Sequence, residues 1–165
     1  TMKQREIRLY NVLLPIWLLW VVPKVWIVIL PGNLIIDCAV LLLALAALKH
    51  QGKRAVVKQL WWKFWVLGFV ADAVGVAWLF LGWALSLPLG KVWEDTVVHI
   101  THNAFDNPGA FLWMLAGVAL AGLCIYFLDW LAMRRCTLLS EREKQRIALV
   151  MAIVTAPWTF FIPIY

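Results

Sequence analysis

Apolar runs of about 20 residues recur along this chain, each long enough to cross a hydrocarbon core of roughly 30 Å as a helix. Short stretches rich in Lys and Arg separate them. Inside a bilayer every backbone N–H and C=O must be paired within the chain, so only helices or a closed barrel can cross. A barrel requires alternating, weaker segments, and these runs are continuous. The expected fold is therefore all-α: a polytopic integral membrane bundle of five transmembrane helices plus a short outer interfacial or re-entrant helix, as a single transmembrane domain over residues 1–165.

The charge distribution supports that class. Charged residues are 15% of the chain and hydrophobic ones 64%, whereas soluble domains carry roughly 25% charged residues. The net charge of +6 lies in short loops, where it suits orientation and contact with anionic headgroups better than nucleic acid. Cys38, Cys124 and Cys136 form no C-x-x-C pair and read as packing thiols. Thr1 ahead of Met2 reads as an addition to a natural start. The basic Met2–Arg8 segment leads into a run too long for a signal h-region, which predicts an uncleaved first span.

Punctuation residues set the expected spans. The first covers Leu9–Leu30 and ends at Pro31-Gly32-Asn33, a turn with Asn33 as cap for a second span over Leu34–Leu48. The basic segment Lys49–Lys63 follows as a loop. A third span covers Phe64–Leu87. Asn107-Pro108 opens a fourth over Pro108–Met133, with Asn as cap and Pro at the first helical position. Ser140 and Glu143 form a capping box that starts a fifth helix, whose apolar part is Ile147–Pro163. The Lys/Arg-rich segments alternate with the Pro31–Asn33 turn and the Trp93–Pro108 loop. That predicts the N-terminus in the cytoplasm and the C-terminus outside, in a plasma (inner) membrane. The cluster Trp61-Trp62-Lys63-Phe64-Trp65 marks the inner boundary.

Two groups of polar residues stand out from the oil. Asp95, His99, His102 and Asp106 recur at steps of four, three and four, one face of a helix whose other face carries Trp93, Val97, Ile100 and Ala104. This predicts an amphipathic helix in the outer interface. Its polar side is either a solvated face or a site for protons or a Zn-like divalent metal, because imidazole and carboxylate at such spacing can converge on one ion. Within the spans lie Lys24, Asp37 and Asp72, which cost several kcal/mol unless paired or wetted. Lys24 and Asp37 flank the predicted turn, which suggests an ion pair. Asp72 has no opposite charge at its depth. Its small neighbours Gly68, Ala71, Gly75 and Ala77 would admit Gly117 and Ala121 of the fourth span. Asp129, beside Arg134 and Arg135, reads as an ordinary boundary residue.

Three function classes follow. The first is a small transporter or channel for protons, cations or a small solute, using Asp72, Asp37 and Lys24, and homo-oligomeric. The second is an accessory subunit whose intramembrane charges meet those of a partner membrane subunit. The third is a metal-dependent membrane enzyme at the outer leaflet, acting through His99 and His102. No Walker loop, nucleophile elbow or His-Glu-x-x-His motif is present.

Overall fold

The computed structural model describes residues 23–163, with side chains from Trp26 onward apart from Val92. The described chain is helical, without strands: α1 (Pro23–Ala47), α2 (Lys53–Ala84), α3 (Ser86–Leu89), α4 (Lys91–Thr101), α5 (Pro108–Met133) and α6 (Glu141–Val154), with 3-10 turns at Ala104–Asp106 and Trp158–Phe161. Three stretches among the described residues are long and apolar enough to cross a membrane: Trp26–Ala47, Lys53–Leu89 and Pro108–Met133. The rest of the predicted first span lies outside the described residues.

Helix α1 continues through Pro31-Gly32-Asn33, where the sequence predicts a turn. Proline removes one donor and opposes the carbonyl four residues back, which ends a helix in water. Here the flanking side chains Ile27, Val28, Ile35 and Ile36 are exposed apolar surface. In an apolar surrounding the freed carbonyl has no solvent partner, so abandoning the helix there would orphan more groups than keeping it. The Trp65 indole of α2 donates to the Leu30 carbonyl at 2.9 Å, clamping the turn beside the proline.

The connection to α2 is a Schellman motif. Lys49 N–H donates to Ala46 and His50 N–H to Leu45, with Lys49 at φ 53° in the left-handed position usually held by glycine. Gly52, at φ 79°, then caps α2. The predicted basic loop is shorter than expected, because Lys53 to Lys63 form the first turns of α2. At 32 residues α2 is about 48 Å long, longer than a hydrocarbon core is thick.

Helices α1 and α2 pack antiparallel, with Trp26 stacked on Phe69 and Gly68 against Asp37. Helices α2 and α5 are also antiparallel. A Cβ built on Gly75 would lie 3.2 Å from the Ala121 methyl, and Trp78 stacks on Trp113 at 4.3 Å. Of the small residues predicted to line this contact, Gly75 does so, Ala71 is buried, Gly68 serves α1, and Ala77 is exposed.

Helix α5 starts as expected: Asn107 Oδ1 accepts from the Gly109 and Ala110 amides ahead of the helix. Helix α6 has the predicted capping box at Ser140 and Glu143. It ends at Val154, well short of the predicted Pro163, because Pro157 cannot continue it. At 14 residues α6 is too short to count as a span. The chain continues through the 3-10 turn, where Phe161 packs on Phe105 and Phe111 at the opposite end of the bundle from Ser140. This segment thus traverses the bundle in two pieces.

Two clusters fill the interior. One joins α1, α2, α5 and α6 around Leu41, Leu60, Phe64 and Met151. The other joins α2, α4, α5 and the C-terminal turn around Leu79, Ile100, Met114 and Phe160.

Candidate functional site

Apolar side chains recur on the inner stripe of α5 at Ala121, Ile125 and Met133, and Asp129 occupies the next position on that stripe. Its helical phase makes it a core residue, only 2% exposed. The sequence reading that placed Asp129 on an ordinary boundary is therefore corrected. Proximity to Arg134 and Arg135 in sequence does not bring it to their surface, since residues four or more apart need not share both face and depth. The signal available was its phase with Ile125 and Met133.

Asp37 of α1 is 7% exposed and packs against Gly68 of α2, whose missing side chain leaves room for the carboxylate. A Cβ there would lie 3.5 Å from Oδ2 of Asp37. Asp72, one helical turn further along α2, is half-buried. Extending the antiparallel register set by Gly75 and Ala121 puts Asp129 beside the α2 turn that holds Gly68. The three carboxylates, from three helices, thus lie within about 9 Å along the bundle axis.

No base neutralises them among the described residues. The buried Lys144 is held by Glu141 at 2.8 Å at the head of α6. The predicted Lys24–Asp37 pair loses its basis. The side chain of Lys24 lies outside the described residues, but its backbone belongs to the same continuous helix as Asp37. Thirteen residues of helix separate them, about 20 Å, where the predicted hairpin would have brought them level.

The second predicted site folds differently from its helical projection. Helix α4 ends at Thr101, His102 caps it, and Asn103 is extended at φ −147°. Asp106 therefore leaves the face shared by Asp95 and His99. Each polar group finds a local partner. His99 Nδ1–H donates to the Asp95 carbonyl at 2.7 Å and His102 Nδ1–H to the Val98 carbonyl at 3.0 Å. The Asn107 amide donates to the Asp95 carboxylate at 2.9 Å, and Asn103 to Asp106 at 3.0 Å. Among the described residues no three His, Cys, Asp or Glu side chains are placed to share a metal ion. The polar stretch acts as a brace between α4 and the cap of α5.

The opposite side of α4 covers helix ends. Thr96, Val97, Ile100 and Ala104 are buried. Trp93 donates its indole N–H to the Gly82 carbonyl at 2.6 Å and meets Trp113 edge-on. At the other end of the bundle, Glu143 is held down to about 2, first by the Ser140 backbone and hydroxyl donors of its capping box, then by His50. The cysteines are free thiols, and Cys136 donates to Gln59 at 3.4 Å.

Comparison with protein-family models, curated proteins and solved structures finds no match to this chain.

Proposed function

We propose that this chain is a small integral membrane protein that moves protons or cations by way of Asp37, Asp72 and Asp129. What supports the reading is that Asp37 and Asp129 are buried and Asp72 partly buried on three membrane-length helices, with no base paired to any of them among the described residues. A bare carboxylate in that setting costs several kcal/mol, so such a group must hold a proton or share a cation. Carboxylates close enough to interact pass occupancy to one another, because ionising one disfavours ionising the next. Asp72, half-buried, is the most exposed of the three.

The basic end of the bundle, with Lys53, Arg54, Arg134 and Arg135, faces the cytoplasm of a plasma-type membrane in this reading. A Cys placed at Gly52 should then resist an impermeant thiol reagent added outside, and one at Gly90 should react. Proton flux is tested in liposomes with an internal pH dye and a valinomycin-clamped potential, and sodium and potassium uptake with isotopic tracers in vesicles free of valinomycin. Protein-free and reconstituted vesicles that acidify and take up both tracers at the same rates would refute transport.

The half-exposed position of Asp72 also favours a second reading, an accessory subunit in which a partner helix brings Lys or Arg to that carboxylate. A partner that co-purifies stoichiometrically and is lost in Asp72→Asn would support it, whereas flux by the isolated chain would support the first reading.

A further inference from the structure

A cleft of about 580 Å³ opens between α2 and α5 at the basic end of the bundle. Its walls are apolar, built by Val66, Leu67, Leu128 and Leu131. Its rim carries three cations, Lys63, Arg134 and Arg135. None of the three has a carboxylate within ion-pair distance among the described residues. Lys63 lies over the Trp62 ring at 5.9 Å and Arg134 over Trp130 at 5.4 Å. Stacking of this kind holds a cation in place without consuming its charge.

We propose that this cleft binds one phospholipid with an anionic headgroup, its phosphate among Lys63, Arg134 and Arg135 and an acyl chain along Val66 and Leu128. The argument is complementarity in two respects. Arg134 and Arg135 stand where α5 ends, and Lys63 lies across the cleft from them on α2, a placement that suits a headgroup phosphate. The apolar wall continues from them toward the middle of the spans, the direction an acyl chain takes. A soluble anion would use the rim and leave the wall bare, whereas a lipid uses both. Basic pockets between transmembrane helices recognise anionic headgroups by this chemistry.

The test uses the full chain in neutral detergent, with lipid adducts read by native mass spectrometry. The probes are phosphatidylglycerol and phosphatidylcholine of the same acyl chains, with inorganic phosphate as a third arm. Phosphatidylglycerol should bind in preference, at one tight site. Neutralising Lys63→Gln, Arg134→Gln and Arg135→Gln singly should weaken it about fivefold each, from roughly 1 kcal/mol per basic residue near an anionic surface. Lys53→Gln/Arg54→Gln removes two charges from the same end outside the cleft and should leave the tight site intact. Ala132→Trp narrows the cleft, keeps every cation, and should also weaken binding. Equal retention of the two lipids, equal loss in Lys53→Gln/Arg54→Gln, or unchanged binding in Ala132→Trp would overturn the proposal. So would full competition by millimolar inorganic phosphate, which would make the site one for free anions.

Discussion

His50 Nδ1 stands 2.8 Å from Oε1 of Glu143, joining residues 93 positions apart. The link ties the α1–α2 turn to the head of α6, so both loops lie at one end of the bundle. The other oxygen of Glu143 accepts from the Ser140 amide at 2.8 Å and hydroxyl at 2.7 Å. One carboxylate therefore closes a cap and a tertiary contact together.

That double use has a pH signature. Glu143 is lowered from 4.5 to about 2 in the folded chain. A depressed carboxylate stabilises the fold fully above its unfolded value and loses that contribution as pH falls through the folded one. Thermal stability of the wild-type chain should thus fall between about pH 4.5 and 2 more steeply than that of Glu143→Gln. Parallel curves for the two proteins would contradict this. At neutral pH, Glu143→Ala should cost about 1 kcal/mol from the cap alone, and a cycle with His50→Ala should show coupling.

Gly82 and Gly32 should respond oppositely to alanine. A Cβ at Gly82 would stand 2.5 Å from the indole nitrogen of Trp113, a ring already stacked on Trp78 and met edge-on by Trp93. Gly82→Ala should destabilise by about 1–3 kcal/mol through overpacking. At Gly32 no atom lies within 4 Å. Gly32→Ala should be neutral or stabilise by up to about 1 kcal/mol, from helix propensity. Melting temperatures of the two variants decide it.

Lys49 holds a left-handed backbone at φ 53° without being glycine. Lys49→Gly relieves that strain and should raise stability by about 1 kcal/mol. Lys49→Val adds β-branching at positive φ and should lower it. A Lys49→Gly variant that melts below the parent would show that the side chain contributes more than the strain costs.

The three carboxylates should separate activity from stability. Asp37→Asn, Asp72→Asn and Asp129→Asn should each reduce ion flux at least tenfold, an expectation set by loss of the titrating group. None should lower the melting temperature appreciably, since no ion pair is lost among the described residues. Undiminished flux in all three variants would remove the carboxylates from any pathway.

Local signals in the sequence settled much of this molecule. Pro108–Met133 as an apolar helix follows from its length, its Asn107 cap and the Arg pair at its end. The Ser140 capping box is equally local, because four adjacent residues supply all its donors and acceptors. The apolar runs likewise give three helices among the described residues that are long and apolar enough to cross a membrane.

Tertiary structure decided the rest. Pro31-Gly32-Asn33 has the composition of a turn, and surrounding apolar surface with the Trp65 clamp keeps it helical. Asp95, His99, His102 and Asp106 share a face only if the helix continues, and competition from the His102 and Asn103 backbone ended it at Thr101. Asp37, Asp72 and Asp129 are 35 and 57 residues apart in succession, read from their numbers. The level each takes along the bundle depends on the register of two antiparallel helix pairs, in which Gly68 meets Asp37 and Gly75 meets Ala121. Periodicity fixes which face of a helix a residue occupies, but only packing fixes which residues of other helices share its depth.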